Sequence, residues 1–282
     1  MSALRRDGAA DHSQRAAIIL LRFTQTIPAS FCCLRPVTSP RFFVQRPLPR
    51  PCESGTIFAV GESVARHLQV LRIASGESIT LFDGTGGEIQ ATVRSIGKRD
   101  ATVTLDNFAA VERESPLQIT LVQALATADK MDLIVQKAVE LGVTCIAPIA
   151  TARATLKLAG ERAEKRIAHW QAIAVAACEQ CGRNRVPRVR EVQTLDQWLK
   201  NSFEGVCLLL HPQAEASLPG SVDASRPIAL LIGPEGGFTD DEIARAVERG
   251  VIAAKFGPRV LRTETAGLAA IAAIAARFGD LG

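Results

Sequence analysis

Ile232-Gly233-Pro234-Glu235-Gly236-Gly237-Phe238 decides the fold because of what stands on either side of it. Leu230-Leu231-Ile232, leading into it, has the uninterrupted apolar character of a strand buried on both faces. Thr239-Asp240-Asp241-Glu242, leading out of it, has capping-box spacing, with Thr239 at the N-cap, Glu242 three residues on and Gly250 placed to stop the helix. Gly233, Gly236 and Gly237 remove side chains where a ligand would touch backbone N–H and C=O groups, and they permit positive φ. Pro234 stiffens the same loop. Taken alone, the segment reads equally as a tight strand-to-helix turn or as a ligand site.

A second segment, Phe256-Gly257-Pro258-Arg259-Val260-Leu261-Arg262-Thr263-Glu264-Thr265-Ala266, repeats the plan. Residues 253–256 read as a strand, Gly257-Pro258 turns it, and a polar cluster precedes a helix over 266–278. That helix is rich in Ala and carries little charge before Arg277, which predicts burial on more than one side. Two bare-backbone turns would then leave the same end of one sheet, where open α/β sheets bind ligands. Arg262 and Glu264 read as site groups or as a pair that only ties the loop.

Working outward, residues 117–282 alternate strands and helices. Strands are predicted at 117–126, 145–149, 206–210, 228–232 and 253–256, with helices at 130–141, stopped by Gly142, and at 161–180. The order predicts a doubly covered parallel sheet, an α/β domain. Residues 41–112 instead alternate in short strands, such as Ser78-Ile79-Thr80-Leu81-Phe82, broken by turns such as Asp83-Gly84-Thr85-Gly86-Gly87. They predict a small β-barrel of the kind that binds RNA or ligands on one face. Within it, residues 66–72 read as a short helix or turn presenting Arg66, His67 and Arg72, which with Arg41, Arg46 and Arg50 form a candidate set of phosphate contacts. Glu112-Arg113-Glu114-Ser115-Pro116 reads as the linker between the two domains.

Composition narrows the function. The chain has 282 residues, 47% of them hydrophobic, and a net charge of +4, which permits a nucleic-acid partner without requiring one. Seven scattered cysteines do not form a secreted disulfide framework, and a reducing cytoplasm fits them better. Cys178-Glu179-Gln180-Cys181 has C-x-x-C spacing but stands at the end of a helix with no second ligand pair, so no metal is predicted. No strand is followed by G-x-G-x-x-G and no P-loop lysine follows GPEGG, which disfavours a dinucleotide dehydrogenase and a P-loop enzyme.

Four motifs together carry a resemblance: Lys130-Met131-Asp132 with Gln136-Lys137-Ala138-Val139-Glu140-Leu141-Gly142-Val143, Glu179-Gln180-Cys181-Gly182-Arg183-Asn184-Arg185-Val186-Pro187, and the two loop segments above. In these the chain resembles the bacterial 16S ribosomal RNA uridine-N3 methyltransferases of the SPOUT superfamily, over residues 41–282 and including His67-Leu68 and Val70-Leu71-Arg72. The resemblance implies a C-terminal SPOUT domain with a trefoil knot at 117–282 and an RNA-binding PUA-like barrel at 41–112. It implies S-adenosylmethionine as cofactor, held by Leu210, Gly233, Pro234, Glu235, Gly236, Gly237, Val260 and Leu261, with Thr265 and Ala266 nearby. It further implies a homodimer with a shared active site, acting in the cytoplasm on 16S ribosomal RNA, within the small ribosomal subunit, and with no membrane role. For the chemistry, Arg262 is the first candidate to stabilise a uracil anion, Arg183 and Arg153 the second, and Glu264 or Glu235 the proton acceptor. Arg41, His67, Arg72 and Arg153 are the candidate RNA contacts. A SPOUT enzyme with another RNA target and a non-catalytic ribosome-assembly factor are the alternatives.

Residues 1–40 fall outside the resemblance. They hold several Arg, no Lys and an apolar patch at 16–21 that is too short to span a bilayer. Three readings stay open: a targeting peptide, a disordered tail, or a start assigned too early, with Val37 the true first residue of Val37-Thr38-Ser39-Pro40-Arg41. On the last reading, mass spectrometry of the native protein finds no peptide upstream of Val37, and one such peptide overturns it.

Overall fold

Runs that alternate inward and outward residues build the first of two sheets. The computed structural model describes residues 39–282, so the expectations for the 16–21 patch and for a start at Val37 lie outside the described residues. The first sheet comprises β1 (Arg41–Phe43), β2 (Ile57–Ala59), β3 (Ser78–Phe82), β4 (Glu88–Ile96) and β5 (Ala101–Ala109), with helix α1 (Glu62–Val70) between β2 and β3. Ile89, Ala91 and Val93 of β4 alternate with outward residues and meet Ala101, Val103 and Leu105 of β5 in one core, closed by Val64, Ala65 and Leu68 of α1. The ladder runs β1-β3-β4-β5-β2. β1 and β2 stand at the two ends of that ladder, and the five strands pack with α1 around one core, the small β domain the sequence predicts.

The second sheet follows from continuous apolar runs. Its elements are β6 (Ile119–Ala124), α2 (Ala128–Glu140), β7 (Cys145–Ala150), α3 (Gly160–Cys181), β8 (Arg188–Val189), β9 (Gln193–Thr194), α4 (Leu195–Lys200), β10 (Val206–Leu210), β11 (Ala216–Ser217), α5 (Leu218–Ser221), β12 (Ile228–Ile232), α6 (Asp240–Glu248), β13 (Ile252–Lys255) and α7 (Thr263–Phe278). The strands pair in parallel in the order β11-β13-β10-β12-β6-β7-β8, with β9 also on β7. Every residue of β6 and β12 is buried, as a strand covered on both faces requires. Leu121, Leu208 and Leu230 face Met131, Trp170 and Ile271 from α2, α3 and α7. Their neighbours Val122, Leu209 and Leu231 face Trp198 and Ala246 from α4 and α6. Among the described residues, no helix is long and apolar enough to cross a membrane.

Helix ends follow their local chemistry. Both halves of the Thr239–Glu242 capping box form, and Gly142, Gly182 and Gly250 follow their helices at φ of 89°, 87° and 82°. Helix α7 opens at Thr263 rather than at residue 266. Its Gly267, Ala270, Ile271 and Ile274 are buried, whereas Leu268, Ala269, Ala272 and Ala273 are half-buried, so within one chain a single face is fully covered. Cys178 packs in the core with its thiol pushed up to about 12 by burial, an inert structural position.

The segment expected to be a linker is instead a bonded junction. Glu114 accepts from Arg183 Nη2 at 2.6 Å and Nε at 3.0 Å, while Arg183 Nη1 donates to the carbonyls of Val139 and Val143 at the end of α2. Glu88 of the first sheet accepts from Arg41 at 2.6 Å, Arg113 at 3.1 Å and Asn184 at 3.2 Å, and Arg41 also donates to Asn184 Oδ1. Arg41 and Arg183 are 6% and 4% exposed, which removes Arg41 from the RNA-contact set and places Arg183 away from any substrate this chain alone would hold. Arg50 is likewise committed, to Asp83 and the Gly86 carbonyl.

Burial acts to raise the Glu88 carboxyl, but its hydrogen bonds to Arg41, Arg113 and Asn184 prevail and hold it below the usual carboxylate range. Its contribution to stability is therefore present at neutral pH and lost as pH falls through that depressed value. Glu88→Gln, which leaves two guanidinium groups short of a counter-charge, should cost about 3 kcal/mol at neutral pH. In urea unfolding the gap from the unsubstituted protein should narrow on acidification, and a gap independent of pH would contradict this account.

Candidate functional site

Because the strands of the second sheet are parallel, the loops after β6, β7, β10, β12 and β13 all leave its carboxyl edge. They enclose a cleft of about 550 Å³ lined by Leu210, Gly233, Pro234, Glu235, Gly236 and Gly237 on one side and by Val260, Leu261, Arg262, Glu264 and Ala266 on the other. That volume suits a small-molecule site. Of the expected cofactor contacts, Thr265 alone does not line the cleft, being exposed on the first turn of α7. Thr263 stands in its place.

The glycines of the loop act by different means. Gly237 adopts φ of 69° and donates its N–H to the Pro234 carbonyl at 2.9 Å, closing a turn that side chains rarely permit. Gly233 and Gly236 do not use positive φ; they are needed for space. A Cβ on Gly233 would stand 3.2 Å from the Phe238 ring and backbone nitrogen, and one on Gly236 would stand 3.1 Å from Cβ of Arg153.

Two side chains, Thr263 and Arg153, bond this bare backbone directly, and others brace the groups around it. Thr263 Oγ1 donates to the Gly233 carbonyl at 2.6 Å, and the fully buried Gln123 of β6 donates to Thr263 Oγ1 at 3.0 Å. Arg153, expected to touch RNA, donates to the carbonyls of Gly236 and Phe238 at 3.1 and 3.2 Å and so braces the loop. Glu242 accepts from Ala152 N–H at 2.8 Å as well as closing its capping box. Thr127 N–H donates to Glu235 Oε1 at 3.2 Å.

One charged group in the cleft is not among the site residues that the sequence suggests. Lys130, in the first turn of α2, places Nζ 3.2 Å from Glu235 Oε1 and 3.5 Å from Glu264 Oε2. The hydrogen bond to Glu235 leads the effects that raise the Lys130 ammonium above its ordinary value, so it stays protonated. Burial acts to raise Glu235, yet bonds from its own amide, Thr127 and Lys130 hold it below the usual carboxylate range. His211, Phe256 and Arg259 also line the cleft without having been singled out. Lys130 stands one turn before Ile134 on the buried stripe of α2, the spacing that would have pointed it at the sheet edge.

The remaining candidates lie elsewhere. Arg183 belongs to the junction and does not line the cleft. His67 on α1 sits edge-on to Phe42 at 5.1 Å, with Nδ1 3.9 Å from Glu179, and Arg72 is exposed at φ of 57° just beyond α1. Among the described residues, no group of three or more His, Cys, Asp or Glu is placed to hold a metal ion.

Comparison with known proteins meets this geometry from outside. Residues 113–275 match the model of an RNA methyltransferase domain, and residues 60–106 that of an RNA methyltransferase PUA domain. The chain is 32% identical to ribosomal RNA small subunit methyltransferase E of Bacillus subtilis, over 83% of this chain and 95% of that one. Among solved structures, the ribosomal RNA small subunit methyltransferase E of Neisseria gonorrhoeae bound to S-adenosyl methionine superposes with a TM-score of 0.82 at 40% identity, covering 86% of this chain and all of that one. A Legionella pneumophila methyltransferase solved with SAM gives 0.81 at 37% identity, over 87% of this chain and all of its own. With a sheet, cleft and PUA-bearing architecture that all agree with these matches, the chain belongs to the family of ribosomal RNA small subunit methyltransferases E.

Proposed function

We propose that this chain transfers a methyl group from S-adenosylmethionine to N3 of a uridine in 16S ribosomal RNA, as a homodimer working on the small ribosomal subunit. The observation that carries the reading is the juxtaposition, around one cleft, of two side-chain-poor loops with Arg262 and Glu264 on a single turn. The cleft fits the cofactor. Leu210, Ile232, Phe256 and Leu261 offer an apolar lining for an adenine, backbone near Gly236, Gly237 and Gly257 is open to approach, and Glu235 and Glu264 complement a cationic group. Relatives described as bound to the same cofactor support it. Folding of the two loops through one another as a knot belongs to this reading, as does pairing of two chains along the half-buried Leu268, Ala269, Ala272 and Ala273 of α7.

When bound, S-adenosylmethionine supplies a methyl already activated by its positive sulfur. The demand on the protein is to make uracil N3 nucleophilic, because N3 carries a proton and must lose it. Arg262 is exposed at the mouth of the cleft, where its guanidinium would offset charge developing on the O2 or O4 of uracil. Glu264 is the better-placed proton acceptor. Its Oε2 is buried without a hydrogen-bond partner among the described residues, whereas Glu235 is occupied by Thr127 and Lys130. His67 and Arg72 on the first domain and Arg259 at the cleft are the RNA-facing groups of this reading.

With unmethylated small subunits and labelled cofactor, the protein should yield 3-methyluridine, and methylation at any other atom overturns the assignment. Arg262→Ala should abolish that product while the protein stays folded and dimeric, since Arg262 makes no side-chain cap bond to α7. Unchanged turnover would remove Arg262 from the mechanism.

Thr263→Val strips the hydroxyl between Gln123 and the Gly233 carbonyl at nearly constant volume. It should cost about 1–3 kcal/mol of stability by leaving buried polar groups unmet. Calorimetry should show weaker S-adenosylmethionine binding, with Thr263→Ser close to the unsubstituted protein; equal binding by the valine variant would show that the loop needs no such tie.

A further inference from the structure

Lys130 stands where helix chemistry disfavours it. A cation in the first turn of a helix opposes the positive end of the macrodipole. At this position in α2, however, it reaches two carboxylates on two different loops, Glu235 after β12 and Glu264 in the first turn of α7. Glu235 Oε1 is shared between Thr127 N–H and Lys130 Nζ, both at 3.2 Å, so the lysine is fixed to the loop on one side. On the other side, the buried Glu264 Oε2 has the Lys130 ammonium at 3.5 Å and no hydrogen-bond partner among the described residues.

We propose that Lys130 is a positioning residue for methyl transfer: its ammonium holds the Glu264 carboxylate turned into the cleft, and ties that carboxylate to the cofactor loop through Glu235. The inference rests on the assignment of Glu264 as proton acceptor. Lys130 itself gives up no proton. In the step it supports, the N3–H bond of uracil breaks with the proton going to Glu264, N3 keeps the electron pair and forms the bond to the methyl carbon, and the carbon–sulfur bond breaks with its electrons to sulfur. Because the lysine is held protonated by its neighbours, it serves as a fixed charge rather than as a base.

The test uses the full-length protein on unmethylated small subunits in single-turnover assays, with cofactor affinity measured separately by calorimetry. Glu264→Gln sets the reference, with an expected loss of about a hundredfold in rate. Lys130→Met should lower the rate by at least about tenfold, with cofactor affinity little changed, and Lys130→Arg should restore most of it. The double variant Lys130→Met/Glu264→Gln should be no slower than Glu264→Gln alone, since the lysine acts through that carboxylate. Lys130→Met at full rate, or a double variant slowed by the product of both single effects, overturns the proposal. Full activity of Glu264→Gln is a separate result that removes the proton acceptor itself, and Lys130 loses its role with it. Melting temperatures of all variants exclude simple unfolding as the cause.

Discussion

The hydrogen bond from Thr263 Oγ1 to the Gly233 carbonyl is the constraint on which the cleft depends. A loop with three glycines in five residues has little conformational preference of its own, and each glycine loses more freedom on ordering than any other residue would. Something outside the loop must therefore fix it. Thr263 does so from the first turn of α7, and because its own oxygen accepts from the buried Gln123, the geometry is referred back to the centre of the sheet at β6. One chain of two bonds thus sets the distance between the loops that face each other across the cleft. Arg153, in the loop after β7, fixes the rest of the glycine turn, and Glu242 of α6 in turn holds the N–H of the adjoining Ala152.

The same logic governs the junction between the sheets. Glu88, Arg41, Asn184 and Arg113 form one cluster of hydrogen-bonded charges, and Arg183 with Glu114 forms a second beside it. Burying such groups is costly unless every partner is present. This makes the arrangement intolerant of small shifts, and so it defines one orientation of the first sheet on the second. An apolar contact of similar area would tolerate sliding. On the proposed function, in which one domain contacts RNA while a base enters the cleft of the other, a fixed orientation is the useful property.

Much of the fold was legible because buried parallel strands advertise themselves as uninterrupted apolar runs. Val206–Leu210 and Ile228–Ile232 coincide with the runs that predicted them, and the Thr239 capping box marked the start of α6. The cleft-lining glycines were legible for the same local reason. What failed was the assignment of arginines. Arg41 and Arg183 look like any surface cation in sequence, and only partners far along the chain, Asn184 for the first and Glu114 for the second, turn them into buried struts. Thr263 was passed over in favour of Thr265, although the buried stripe Gly267, Ala270, Ile271 and Ile274 extends back at helical spacing to 263 and not to 265. The helix start had been placed too late for that stripe to be followed.

Charge around the cleft is sorted by how firmly each group is held. Glu235 and Lys130 hold each other, and Glu235 is further fixed by a backbone N–H, so neither is free to follow a substrate. Arg259, by contrast, is exposed on the segment between β13 and α7. A preorganised interior with an adaptable cation at the rim suits the proposed transfer to a base within a large RNA. The reacting groups must not reorganise during the step, because electrostatic stabilisation is strongest when its dipoles and charges are already in place. On the proposed function, a phosphate-facing group such as Arg259 is free to adjust as the RNA arrives. Glu264 lies at the boundary between these two populations, anchored by Lys130 on one side and one residue removed from Thr263, and so is held by the same turn that holds the loop. A shift of α7 would therefore move the tie to Gly233 and the proposed proton acceptor together, which couples the shape of the cleft to its chemistry.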